Sequence, residues 1–132
     1  MADKFDRLGP LLDQIGHEMG LIAGGDPDKT YLYAEVQEGH VAGSVFKDEG
    51  NSVRYFDPSR VLTDLLVEAW EAEEPDKRWK VIEYEVVGTK FDAVFKFPEE
   101  VNSEEYWDER LEVALHARYG DKPVIYPPMP EF

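Results

Sequence analysis

The chain has 132 residues, no cysteine, and 29 acidic against 14 basic residues, for a net charge of −15. That length suits one domain that can bury a core without cross-links, and the lack of cysteine excludes disulfides and thiolate metal sites. So acidic a chain disfavours free nucleic acid and anionic membrane, which both call for clustered Lys and Arg, and favours a basic protein as partner.

Phe5, Leu8, Leu12, Ile15 and Met19 recur at helical spacing and predict an amphipathic helix. Pro10 interrupts it, so the helix is expected to start near Leu8 or to bend there, and to stop at Gly20. Residues 23–29 read as a loop. Thr30 to Gln37 alternates Leu32, Ala34 and Val36 against Tyr31, Tyr33 and Glu35, the period of a strand. Glu38-Gly39 turns the chain into a returning strand, His40 to Phe46, and a short third strand is expected from Ser52 to Phe56.

Asp57 or Ser59 can cap the next helix, expected around 58–73, with Leu62, Leu65, Leu66, Ala69 and Trp70 as its apolar stripe. Its other face is acidic. Trp79 to Phe97 then reads as two alternating strands broken at Gly88-Thr89, a hairpin expected at the centre of an antiparallel sheet. Trp70 and Phe95 are expected in the core, each costing about 3–5 kcal/mol when cut to alanine. Ser103 is expected to cap a last helix with Glu104 and Glu105 in its first turn. Trp107, Leu111, Ala114 and Leu115 form its inner stripe, Arg110, His116 and Arg118 lie toward its end, and Gly120 stops it. The proline-rich tail, 121–132, suits polyproline II structure packed on the domain.

These elements predict a single α+β domain over 1–132, an antiparallel sheet of about five strands packed with three helices in the order α-β-β-β-α-β-β-α. No apolar run approaches the roughly 20 residues that span a bilayer. The first ten residues lack the basic and apolar regions of a secretory signal, so a cytoplasmic protein is expected.

Chemistry-bearing motifs are missing. There is no GxSxG elbow and no Walker loop, and Asp26-Pro-Asp-Lys29 begins like a calcium loop without its twelve-residue pattern. His17, His40 and His116 sit on separate elements without metal-ligand spacing and read as surface or packing residues. No catalytic, cofactor-binding or metal-binding residue is therefore expected, and the protein does not read as an enzyme.

Tyr31-Leu-Tyr-Ala-Glu-Val36, the hairpin with Trp79, Gly88-Thr-Lys-Phe-Asp92 and Phe97-Pro-Glu, and Glu109-Arg110 with Ala117-Arg-Tyr-Gly120 resemble the YezG-like immunity proteins, the DUF600 family of bacterial antitoxins. The resemblance runs from Thr30 to Gly120. It implies a small α+β fold and neutralisation of a polymorphic toxin, often a nuclease, and it offers no catalytic residues to carry over. The chain departs from the family in its acidity and its proline-rich tail.

The resulting expectation is an immunity protein that holds a basic toxin through an acidic surface; the alternative is an acidic interaction module of a secretion or regulatory system. The candidate partner-binding residues are Glu68, Glu71, Glu73, Glu74 and Asp76. This run of like charges weakens its own helix end, opposing the macrodipole without local compensation. Glu99 through Glu112 is a second acidic stretch, but its charges near a helix N-terminus already have a structural reason.

Overall fold

The computed structural model describes residues 4–101 and 104–127, with side chains described from Leu8 onward. The first helix, α1, spans Lys4–Ile22 and contains Pro10 in its second turn. It therefore starts earlier than the proline suggests. Pro10 removes one i→i−4 bond, and burial of Leu8, Ile15 and Met19 holds the helix through that defect. The Phe5 side chain lies outside the described residues.

Gly20 does not end α1. A Cβ there would come within 3.1 Å of the Pro27 ring, so the glycine admits the following loop against the helix. The stop is Gly24, at φ 98°, four residues on. Its N–H donates to the Leu21 carbonyl at 3.3 Å and that of Gly25 to the Gly20 carbonyl at 2.7 Å, the Schellman arrangement.

The strands β1 (Thr30–Gln37), β2 (His40–Asp48), β3 (Val53–Phe56), β4 (Val81–Val87), β5 (Lys90–Lys96) and β6 (Val124–Ile125) form one sheet in the order β5-β4-β1-β2-β3-β6. The α+β expectation holds, with two corrections to the sheet. The β4–β5 hairpin is not its centre: β5 is an edge, and β1 takes an inner position between β4 and β2. Burial explains why. β1 is covered on both faces from Thr30 to Val36, whereas β5 carries Lys90, Asp92 and Lys96 along one exposed face. The second correction is in the tail, which packs on the domain as expected but as a strand and not as polyproline II: Val124 and Ile125 pair parallel with Val53 and Arg54. Residues 128–132 lie outside the described residues.

The helix α2 (Arg60–Glu71) carries the chain from β3 back across one face, beside α1. Ser59 is its cap, its hydroxyl accepting the Leu62 N–H at 3.1 Å and donating to Glu18 of α1 at 2.8 Å. Asp57, the other candidate cap, accepts the Tyr55 hydroxyl instead. The α1–α2 face encloses Leu32, Ala34, Val36, Val45, Ile82 and Tyr84. Tyr84 reaches α1 and donates to the Leu12 carbonyl at 2.7 Å, in space left by Gly16, where a Cβ would lie 2.5 Å from the phenol oxygen.

On the opposite face lies α3 (Trp107–Tyr119), crossing from the β5 side to β6. Trp107, Leu111, Ala114 and Leu115 face the sheet as their spacing predicts, and Gly120 at φ 62° ends the helix. The start differs. Tyr106 is the N-cap without a side-chain bond, Asp108 and Glu109 fill the first turn, and Glu104 and Glu105 precede the helix. Ser103 lies outside the described residues. Arg110 is not an end-of-helix cation either; it occupies the first half of α3 and turns into the sheet.

An ion pair adds to the strand pairing that holds the tail. Lys122 Nζ bonds both Asp48 oxygens at 3.0 and 3.1 Å, beside the Val53 N–H to Pro123 carbonyl bond at 2.9 Å. The Gly50 backbone N–H, then Lys122, hold the Asp48 carboxyl below its ordinary range. A depressed carboxyl pKa contributes stability that is present above the unfolded value and lost as the pH falls through the folded one. The protection factor of the Val53 amide is thus expected to fall on acidification through the carboxylate range. Asp48→Asn should give the same loss at neutral pH. Unchanged protection in both would show that this ion pair does not hold β6.

Candidate functional site

The acidic run occupies the C-terminal end of α2 and the turn that follows. Only Glu68 and Glu71 are in the helix, because Ala72 is its C-cap, with its N–H on the Glu68 carbonyl. Opposition to the macrodipole thus applies to those two alone. Both are exposed. Beyond the cap the chain folds back on itself. The Lys77 N–H bonds the Glu74 carbonyl at 2.8 Å, and the Trp70 indole N–H bonds the Trp79 carbonyl at 3.0 Å. Trp79 is thereby buried, its ring 5.4 Å from that of Phe95, and the Arg78 guanidinium lies over the Trp70 ring at 4.2 Å.

This fold-back forms one wall of a groove of about 840 Å³. Trp70, Trp79 and Phe97 contribute aromatic surface. Glu73 and Asp76 stand on its rim with Glu38 of the β1–β2 turn and Glu99 of the 3-10 turn Pro98–Glu100. The structure therefore brings together two of the five predicted acids and adds two from distant segments. Glu38 and Glu99 were not legible as partners of the run because only the sheet, by pairing β4 with both β1 and β5, places them there.

The expected lack of local compensation is corrected. Lys77 pairs with Glu74 at 3.5 Å, both exposed, and Lys77, Arg78 and Lys80 share the groove with the acids. The turn after the helix, and not the helix itself, brings residues 77–80 back beside the acids. Glu68, Glu71 and Asp76 remain exposed without an ion-pair partner among the described residues. Two donors, Trp79 Nε1 and Arg78 Nε, are buried there without an acceptor among the described residues. An unmet buried donor of this kind costs about 1–3 kcal/mol.

The other face holds a denser polar network. Arg110 of α3 grips Glu35 of β1 with two bonds, Nη2 to Oε1 at 2.6 Å and Nε to Oε2 at 2.7 Å. Arg110 also bonds the Glu105 carbonyl. Tyr33 donates to Glu35 at 3.1 Å and Tyr31 donates to Glu83, which Lys96 also approaches at 3.2 Å. Arg118 pairs with Glu85 and covers the Tyr31 ring at 4.3 Å. Burial first, then the neighbouring carboxylates, push the Tyr31 and Tyr33 phenols well above their ordinary value. Both remain protonated donors at neutral pH: Tyr31 ties β1 to β4 and Tyr33 steadies Glu35, while Arg110 and Arg118 fasten α3 to the sheet. Sequence reading placed Tyr31, Tyr33 and Glu35 on one strand face correctly; it missed that Arg110 meets them.

No family model matches the chain, and no curated protein matches it. His17, His40 and His116 are exposed, and no group of three or more metal-ligating side chains converges among the described residues. No described helix is long and apolar enough to cross a membrane.

Proposed function

We propose that this protein is an immunity protein that binds and neutralises a basic protein toxin, a nuclease being the class its charge suits best. The observation that carries the reading is the set of exposed acids without an ion-pair partner among the described residues, Glu68 and Glu71 at the end of α2 and Asp76 in the turn after it, beside an aromatic groove. The charges of Glu68 and Glu71 destabilise the helix end they occupy, Asp76 adds to the local negative charge from the turn, and a partner's Lys and Arg residues relieve that cost on binding. The long-range field of a −15 chain accelerates such an encounter. The resemblance to the YezG-like immunity proteins points the same way. Glu74 contributes less, since Lys77 already neutralises it.

Affinity capture from the source cells, eluted by salt, should yield a basic protein whose toxicity is relieved when this chain is co-expressed. A captured partner without toxicity would instead favour an interaction module of a secretion or regulatory system. With that partner in hand, the triple change Glu68→Lys, Glu71→Lys and Asp76→Lys should slow association about tenfold at low salt and flatten its salt dependence. The fold should survive, because all three side chains are exposed, with no ion-pair partner among the described residues. Unaltered association kinetics would remove this surface from the reading.

A further inference from the structure

The two edges of the sheet are treated differently. One ends in β6, two residues long and flanked by Pro123 and Pro127. The other is β5, seven residues long, paired with β4 without a bulge from Val81↔Lys96 to Val87↔Lys90. Proteins blunt long edges with proline, charged side chains, bulges, short strands or a covering element. β5 contains no proline, and among the described residues no strand lies beyond it; its charges, Lys90, Asp92 and Lys96, are of both signs and can therefore match a partner strand's.

The direction of its backbone follows from register. The Lys29 N–H bonds the Val86 carbonyl at 2.9 Å, so Val86 directs its polar groups toward β1. Alternation then turns Val81, Glu83, Glu85 and Val87 toward β5, where Lys96, Val94, Asp92 and Lys90 meet them. Phe91, Ala93 and Phe95 are left with their N–H and C=O groups aimed outward. Around them Phe91 and Val94 are 40% and 49% exposed.

We infer that β5 is a self-association edge, and that a second copy of this chain pairs its own β5 antiparallel to it, about a two-fold axis at Val94. The inference does not rest on the immunity reading. Charge complementarity selects the occupant and the register. Centred on Val94, Ala93 exchanges both backbone bonds with Phe95 of the second copy, and Phe91 meets Phe97 on the apolar face. Asp92 meets the second copy's Lys96, and Lys96 its Asp92. Asp92 has no ion-pair partner of its own among the described residues, and Lys96 is shared with Glu83. Moving the centre to Ala93 sets Lys90 against Lys96, and moving it to Asp92 sets the two aspartates together, both repulsive across a sheet. The net charge of each copy opposes association, so dimerisation strengthens with added salt.

Sedimentation velocity on the full chain, over a range of concentrations and salt, tests this. The natural sequence should dimerise, more strongly at high salt. Asp92→Lys alone and Lys96→Glu alone should each dimerise about tenfold more weakly, because each turns two attractive pairs repulsive. An equimolar mixture of the two variants restores both pairs and should recover the dimer. Lys96 also contacts Glu83, so Ala93→Pro is a second arm: the Ala93 N–H points outward, and its loss removes no bond to β4. That variant should be a folded monomer. A natural chain monomeric at every concentration overturns the inference, as does a dimer indifferent to Ala93→Pro. Failure of the mixture to associate, with both variants folded, overturns the register.

Discussion

Replacing Arg110 by alanine should destabilise the fold by about 3–5 kcal/mol, read as a lowered midpoint in urea unfolding. The cost comes from what remains. Glu35 is 6% exposed, on an inner strand, and among the described residues its carboxylate would keep only the Tyr33 hydroxyl as a side-chain donor. A buried charge stripped of its counterion is among the most expensive defects a core can hold. The pair itself is worth less than its removal suggests, because both ions lost water to form it. Glu35→Leu with Arg110→Met should therefore recover much of the loss. If the double variant proves no better than Arg110→Ala, the cost lies in the lost packing of Arg110 or its bond to Glu105, and not in a stranded carboxylate.

Trp79→Ala is the second large effect, again about 3–5 kcal/mol, from a cavity on the floor of the groove. Trp79 is 2% exposed and packs on Phe95. Sequence reasoning assigned this cost to Trp70 and Phe95, yet both are only half-buried, packed against the core from its margin. A residue that keeps part of its surface in water loses less transfer free energy on truncation. Trp79→Ala should thus unfold at lower denaturant than either Trp70→Ala or Phe95→Ala. Equal midpoints for the three would show that the aromatic corner acts as one layer without a buried centre.

The sequence by itself determined most of the elements and their apolar faces, though not β6 or the start of α3. Leu62, Leu65, Leu66 and Ala69 recur at 3.6 residues and are buried on α2; Leu32, Ala34 and Val36 recur at two and are buried under it. Both patterns are legible because the residues that make each element lie within a few positions of one another. The acidic run was legible too, as composition.

Tertiary structure decided the rest. The hairpin from Trp79 to Phe97 has the clearest alternation in the chain, yet it lies at one side of the sheet with β5 as the edge, since alternation marks a strand covered on one face and does not rank strands by position. The less conspicuous TYLYAEVQ became an inner strand because α3 closes over Tyr31, Tyr33 and Glu35. Arg110 showed the same limit. Local rules see a cation on a helix and assign it to the dipole, but its carboxylate lies 75 residues away in sequence, on a strand that α3 meets only after crossing the sheet. Glu38 and Glu99 reached the groove by the same route. Strand order and the side chains it juxtaposes depend on which pairings bury the most surface with every charge matched, and no window of neighbouring residues contains that comparison.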